Sequence, residues 1–288
     1  MVSFEDIVQQ ILSARKDLTL EAILKMVESK EKSAQGFLTR ETAARAVALD
    51  LGVDVPKVFF RHEIMIKDLV SGLNNVTITG RIIRVYPIQR FVRPDETEGM
   101  LRRLIIADKT GEIKVVLWGD KANFPNIESS VDQIARFSHG YIRRGFDGKL
   151  ELNIGSKGDI SLSPYDVSEE NYPPLTYYTQ RIGEITGKEK SINVIGFVEE
   201  VYPVVTFKRQ DGGEGKVRRF RLKDNSGRVT VVLWDRKVDE LSKIENGKYI
   251  IIFEAKIHKR PDENFEIHIG NSTDIATINK CPSGFKFH

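Results

Sequence analysis

The chain has only two tryptophans, and each closes the same short run, Val115-Val116-Leu117-Trp118 and Val231-Val232-Leu233-Trp234. Ahead of each lies an arginine pair, Arg102-Arg103 or Arg218-Arg219, and then an Asp-x-(Ser/Thr)-Gly turn. An indole face stacks on a flat π-partner, and a guanidinium pairs with an oxyanion through parallel N–H donors. Such residues hold a ligand without transforming it. Nothing in the chain pairs an acid with a base or activates a nucleophile. Gly183-Glu184-Ile185-Thr186-Gly187-Lys188-Glu189 has one residue too few between its glycines for a phosphate loop and no Ser or Thr after Lys188, and no helix follows Gly212-Gly213-Glu214-Gly215-Lys216. His258 and His268 share an expected hairpin as a pair of exposed strand histidines, and the single Cys281 can complete neither a disulfide nor a zinc site. No catalytic role, cofactor or metal is expected.

Strand alternation says where the interesting side chains point. Between Arg218 and Lys223, Phe220 and Leu222 form the apolar set, which sends Arg219, Arg221 and Lys223 to the opposite face. In the next run Val231 and Leu233 face inward and leave Thr230, Val232 and Trp234 outside. The same parity in the earlier copy puts Arg103 and Ile105 beside Lys114, Val116 and Trp118. Each outward tryptophan either stacks on a ligand or covers the end of its own domain.

The two copies belong to a longer repeat. A shift of 116 residues superimposes Ile66 to Trp118 on Ile182 to Trp234 without a gap and with about a third of positions identical, and Ile154-Gly155 and Asp159-Ile160 match Ile269-Gly270 and Asp274-Ile275 at a shift of 115. Each unit has a long strand broken by Gly80 or Gly196, a Pro-led variable loop, two strands joined by the Asp-x-(Ser/Thr)-Gly hairpin, a partly helical stretch and a last hairpin. That order, in about 95 residues, is the layout of an oligonucleotide/oligosaccharide-binding barrel (OB-fold). Phe91 and Phe207 fall in the first variable loop, flanked by Arg90, Arg93, Lys208 and Arg209, and serve there as ligand contacts or as loop anchors.

Ahead of the repeat, apolar residues recur at three and four from Phe4 to Leu12, from Leu20 to Val27 and from Ala43 to Leu51, which is the pattern of a small helical bundle. Thr39 and Thr42 make a partial cap for its third helix, and Gly52 ends it. The expected division is a helical module over 1–57, a first barrel over 64–160, a linker over 161–181 and a second barrel over 182–278. Pro164, Pro173 and Pro174 make that linker extended and fairly stiff. Tyr177 and Tyr178 beside it either stack on bases or pack on a neighbouring domain. Basic and acidic residues number 44 and 41 in all, so a general polycation is excluded and any anion binding must rest on particular faces. No apolar run nears the roughly 18 residues of a membrane span and the N-terminus lacks a signal-peptide pattern, so a cytoplasmic location is expected.

The string Gly-x-x-Arg-Arg-x-x-x-x-Asp-x-(Ser/Thr)-Gly-x-(Ile/Val)-x-Val-Val-Leu-Trp, from Gly99 to Trp118 and again from Gly215 to Trp234, resembles the barrels of archaeal replication protein A, the single-stranded DNA-binding protein. The resemblance covers Ile64 to Ile278, and the helical leader is similar to that of some archaeal members. It implies a non-enzymatic protein that holds unwound DNA in replication, recombination and repair, with little regard to sequence. Phe91, Arg103, Lys114, Trp118, Phe207, Arg219, Arg221 and Trp234 are its expected contacts, with Phe265 added because it matches a stacking position of the family; the first unit has Leu150 there. Replication or repair proteins, or a second copy, are expected partners of the helices. Large subunits of the family often carry a C-terminal zinc module, which the lone Cys281 does not carry over. Two other readings stay open: barrels that bind polypeptide in a scaffold, and barrels that bind RNA.

Overall fold

The computed structural model describes residues 4–33, 40–53, 64–261, 264–270 and 273–286, and the chain divides into two compact units, Met1–His62 and Glu63–His288. In the first, the three-and-four spacing folds as α1 (Phe4–Ala14), α2 (Leu20–Ser33) and α3 (Arg40–Asp50). Ile7, Ile11, Ile23, Val27 and Val47 meet in their shared core. The Thr19 hydroxyl accepts the Ala22 amide at the start of α2, and Gly52, at φ 69°, turns the chain away after α3. The cap expected from Thr39 lies outside the described residues.

The second unit holds two barrels of the same construction. The first is built from β1 (Asn74–Val85), β2 (Gln89–Val92), β3 (Glu98–Asp108), β4 (Gly111–Trp118), β5 (Ile134–Arg144), β6 (Leu150–Ile154) and β7 (Asp159–Leu162). The second uses β8 (Ile192–Val201), β9 (Val205–Lys208), β10 (Glu214–Lys223), β11 (Arg228–Trp234), β12 (Tyr249–Lys259), β13 (Phe265–Ile269) and β14 (Asp274–Ile278). In the first, β1 pairs both β3 and β5, and β4 and β6 complete the ring, with β2 added outside β3 and β7 outside β5. The second repeats this closure through β8, β10, β11, β13 and β12. Closure forces one strand to hydrogen-bond along both edges, and the glycines stand where it does. A Cβ on Gly80 would lie 2.9 Å from the Ala107 carbonyl oxygen, and one on Gly196 2.9 Å from that of Lys223.

The Asp-x-(Ser/Thr)-Gly turn explains itself through its carboxylate. Asp108 accepts the Thr110 and Gly111 amides and the Thr110 hydroxyl on one oxygen and the Ile66 amide, 2.8 Å away, on the other. Asp224 repeats every one of these bonds with Ser226, Gly227 and Ile182. One buried side chain thus closes the hairpin and pins the entry of the chain to it. The partly helical stretch differs between the copies: 3-10 turns at Gly119–Asn123 and Ile127–Ser129 in the first, α4 (Arg236–Glu240) in the second. The first arginine of each pair is structural. Arg102, 3% exposed, donates to the Ala122 carbonyl and to Glu128, and Arg218 donates to the carbonyls of Tyr202 and Ser242.

The segment between the barrels is not a free spacer, because both barrels and the C-terminal tail close over it. Leu175 is fully buried among Ile83, Ala107 and Val131 of the first barrel and Ile195, Ile251 and Phe253 of the second. Buried Arg81 donates to Asp132 and to the carbonyls of Pro173 and Glu169. Asp132 in turn accepts the amide and hydroxyl of Ser283 from the tail. Arg84 reaches across to Glu254 and Asp274 of the second barrel. Burial works against its charge, but those carboxylates outweigh it and its pKa is raised. Tyr178 packs into this seam, where burial pushes its phenol up to about 12, while Tyr177 stays exposed. Proline content suggested an extended spacer, whereas the segment carries 3-10 turns at Glu169–Asn171 and Leu175–Tyr178 and is partly buried.

Replacing the Asp108 carboxylate strands three amides at once. Denaturant unfolding of Asp108→Ala should show a loss of about 2–4 kcal/mol relative to the unmodified protein; a loss under about 1 kcal/mol would mean that the turn closes without it.

Candidate nucleic-acid interface

The outer face of each barrel is a platform whose strand registers place matching residues side by side. Trp118 stands opposite Leu101, and Arg103 opposite Val116, as Trp234 stands opposite Val217 and Arg219 opposite Val232. The expected first loop contains a strand: β2 folds back on β3 and β9 on β10, putting Phe91 directly across from Gly99 and Phe207 across from Gly215. Each phenylalanine lies over its glycine, where a Cβ would come within 2.5 Å and 2.4 Å of the ring respectively. The ring thereby reaches the tryptophan of the next strand but one. Phe91 meets Trp118 at 6.2 Å and 90°, and Phe207 meets Trp234 at 6.0 Å and 85°. Edge-to-face contact leaves the indole faces half-buried, with area still open to solvent.

Outward parity holds for these residues, yet it does not mean exposure. Val116 is 2% exposed and Val232 is fully buried, although both point away from the barrel core.

The cations separate into two groups. Lys114 sits between Asp147 and Glu151, 3.0 Å from each, and although burial opposes its charge these bonds raise its pKa. Arg221 donates to the Tyr202 hydroxyl at 2.7 Å and lies 3.5 Å and 3.9 Å from Glu200 and Glu199. Their charges are taken up within the protein. Among the described residues, by contrast, the Arg103 guanidinium donates to the Gln89 amide oxygen and pairs with no carboxylate, and Arg219 makes no ion pair. These two occupy the same position in the two barrels.

Phe265 does not join the others. It alternates with His268 and Glu266 and shares the inward side with Ile267 and Ile269, so its ring packs on the core margin and over Gly187. There it borders a cavity of about 360 Å³ beside Arg228, Arg260 and Asn264. The expected stacking position therefore lies on the wall of that cavity, which Arg221 and Thr230 of the outer face also line. Of the two histidines, His258 is exposed as expected and His268 is not. Their rings stack at 3.9 Å and His268 is half-buried against Trp234.

Three platform residues escaped the sequence reading. Arg143 on β5 lies over the Trp118 ring at 5.3 Å. Asn153 on β6 and His268 on β13 each meet an indole N–H. The signal for them was present in the alternation of Leu150–Ile154 and Phe265–Ile269, which sends both outward at a shift of 115.

A closed five-strand ring of this connectivity, present twice and carrying an aromatic and cationic outer face, makes the chain a tandem OB-fold protein. Residues 184–275 match the family described as OB-fold nucleic acid binding domain. Over 209 residues the chain is 29% identical to replication factor A of Methanothermobacter thermautotrophicus, a match that covers 69% of this chain and 25% of that protein. It is 31% identical over 139 residues to a 70 kDa DNA-binding subunit of replication protein A from Oryza sativa subsp. japonica, covering 45% of this chain and 14% of that protein. The chain thus spans a quarter or less of the length of these relatives. Among solved structures, a replication protein A heterotrimer bound to ssDNA shares the fold with a TM-score of 0.53 at 16% identity, over 75% of this chain and 52% of that one. The resemblance to archaeal replication protein A stands on sequence, and the heterotrimer shares the fold.

The phenylalanine over glycine makes its own prediction. In Gly215→Ala the new methyl meets the far end of the Phe207 ring, which can swing aside, so stability should change by less than about 1 kcal/mol while the emission of Trp234 changes. An unaltered spectrum in a folded variant would mean that Phe207 does not set the surroundings of the indole.

Proposed function

We propose that this chain binds single-stranded DNA with little sequence preference and holds unwound strands during replication, recombination and repair. The observation that carries the reading is the recurrence, in both barrels, of one platform: Phe91, Trp118 and Arg103 in the first, Phe207, Trp234 and Arg219 in the second. Half-open indole faces suit unstacked bases, and an arginine with no carboxylate partner among the described residues suits a phosphate. A duplex offers its phosphates but keeps its base faces covered. The similarity to replication factor A supports the same reading. Arg221 and Lys114 contribute less, since any phosphate must compete with Glu199 and Glu200 or with Asp147 and Glu151. Phe265 remains a proposed contact, through the cavity it lines with Arg221 and Thr230. The action is binding alone, without a catalysed step.

Fluorescence-anisotropy titrations with single-stranded DNA, duplex DNA and RNA over a salt series test this. Single strands should bind far more tightly than duplex, with log affinity falling against log salt by about 0.7 for each paired phosphate. The pairs Phe91→Ala with Trp118→Ala and Phe207→Ala with Trp234→Ala should each cost about 1–3 kcal/mol per base no longer stacked, at little changed melting temperature. Equal affinity for duplex would sink the stacking model, tighter binding of RNA would reassign the substrate, and weak binding with little salt dependence would favour a polypeptide ligand.

The helical unit is proposed as a docking module for a replication or repair protein, or for a second copy of the chain. Its α1 and α2 stripes are spent on its own core, and residues 1–60 are near neutrality, with 8 basic and 9 acidic side chains. Removing residues 1–62 should leave the affinity for single-stranded DNA within about 1 kcal/mol. A folded truncation that loses tenfold or more would place the module in the DNA interface.

A further inference from the structure

Asn153 and His268 hold the same place in the two barrels. In the parallel ladders Asn153 stands beside Val116 and His268 beside Val232, both on the outer side. Each accepts the indole N–H of its own tryptophan: Trp118 Nε1 donates to Asn153 Oδ1 at 2.9 Å, and Trp234 Nε1 faces His268 Nδ1 at 3.3 Å. Asn153 is fully buried and its Nδ2 donates to the Glu151 carbonyl, so the amide is oriented and no proton can alter it. His268 is different. Its Nδ1 can accept only while the ring is neutral with the proton on Nε2, the nitrogen that lies 3.4 Å from Glu266 Oε2.

We propose that Asn153 and His268 are positioning residues that set the ring planes of Trp118 and Trp234 for stacking on a nucleobase, and that the histidine makes only the second barrel's stack depend on protonation. The inference rests on the single-strand reading above and adds a regulation to it. A proton on Nδ1 turns the acceptor into a donor facing another donor, so the indole loses its tether and the plane is no longer held. A side chain that must be ordered on binding gives up affinity relative to one ordered in advance.

The surroundings of His268 decide when this happens. The His258 ring is stacked on it from β12, where Lys256 is also directly opposite in register. Arg219 approaches from β10, and Glu266, itself bonded to Arg260, lies on the same strand. Burial first, then His258 and Arg219, hold the imidazole below the usual histidine range against the pull of Glu266. The accepting form is therefore the one present at neutral pH, and the tether is lost on acidification.

With two tryptophans in the chain, each can be watched alone. In Trp118→Phe the emission of Trp234, without DNA, should titrate on acidification with a midpoint below the usual histidine range, and His268→Asn in that background should abolish the titration while keeping the neutral-pH spectrum. In Trp234→Phe the emission of Trp118 should be flat over the same acidification, and Asn153→His should introduce a titration there. At about 0.5 M salt, where attraction between imidazolium and phosphate is screened, single-stranded DNA should bind the Trp118→Phe protein about fivefold more weakly at the acid end, the worth of one hydrogen bond, and His268→Asn should remove that difference. Emission of Trp234 that ignores pH, or that titrates unchanged in His268→Asn with His258 still present, would overturn the proposal. Should the unmutated protein fail to bind DNA at any pH, the functional reading falls, while the DNA-free emission still reports on the indole–imidazole link.

Discussion

A ring of five strands encloses room for one set of side chains and no more. That constraint governs the rest of the second unit. It demands a strand paired along both edges, which is why Gly80 and Gly196 stand where any Cβ would strike a carbonyl oxygen. It also sends every alternate residue outward, and so turns the closing of a core into the building of a platform. Arg103 and Trp118 owe their direction to Leu104 and Leu117, their neighbours inside. The Asp108 and Asp224 carboxylates hold β3 to β4 and β10 to β11 at the hairpin.

Much of this was legible in the residues because it is local. A period of two fixes direction, an Asp followed by Ser or Thr and Gly fixes a turn, and a gapless shift of 116 shows that whatever one half builds the other builds too. What escaped depends on residues distant along the chain. Lys114 reads as an outward cation from its own strand, and only the fold brings Asp147 and Glu151 to either side of it. Val116 and Val232 read as exposed and are covered by neighbours that parity cannot name. Phe265 is a different case: its alternation with His268 points its ring inward, while the cavity it shares with Arg221 and Thr230 is made only by the fold.

The linker shows the same limit from the other side. Proline spacing describes how a segment runs when nothing touches it, whereas burial of Leu175 requires surfaces from both barrels and Ser283 from the far end of the chain. Arg81 and Arg84 are the clearest instances. By sequence each is one more charge in a basic strand, and in the fold each is a buried tie whose partners lie far along the chain, up to 190 residues away.

These ties set the mutual orientation of the two barrels before any ligand arrives. A tandem joined by a slack tether lets each domain find its own stretch of polymer, and the entropy of that search is lost from the protein. Here the seam around Leu175 and Arg84 has already removed it, so once one platform is occupied the other is presented at a high effective concentration. The compliance must then come from the ligand. On the single-strand reading proposed above, a strand that spans both faces has to adopt the protein's angle, and its local stiffness enters the free energy of binding.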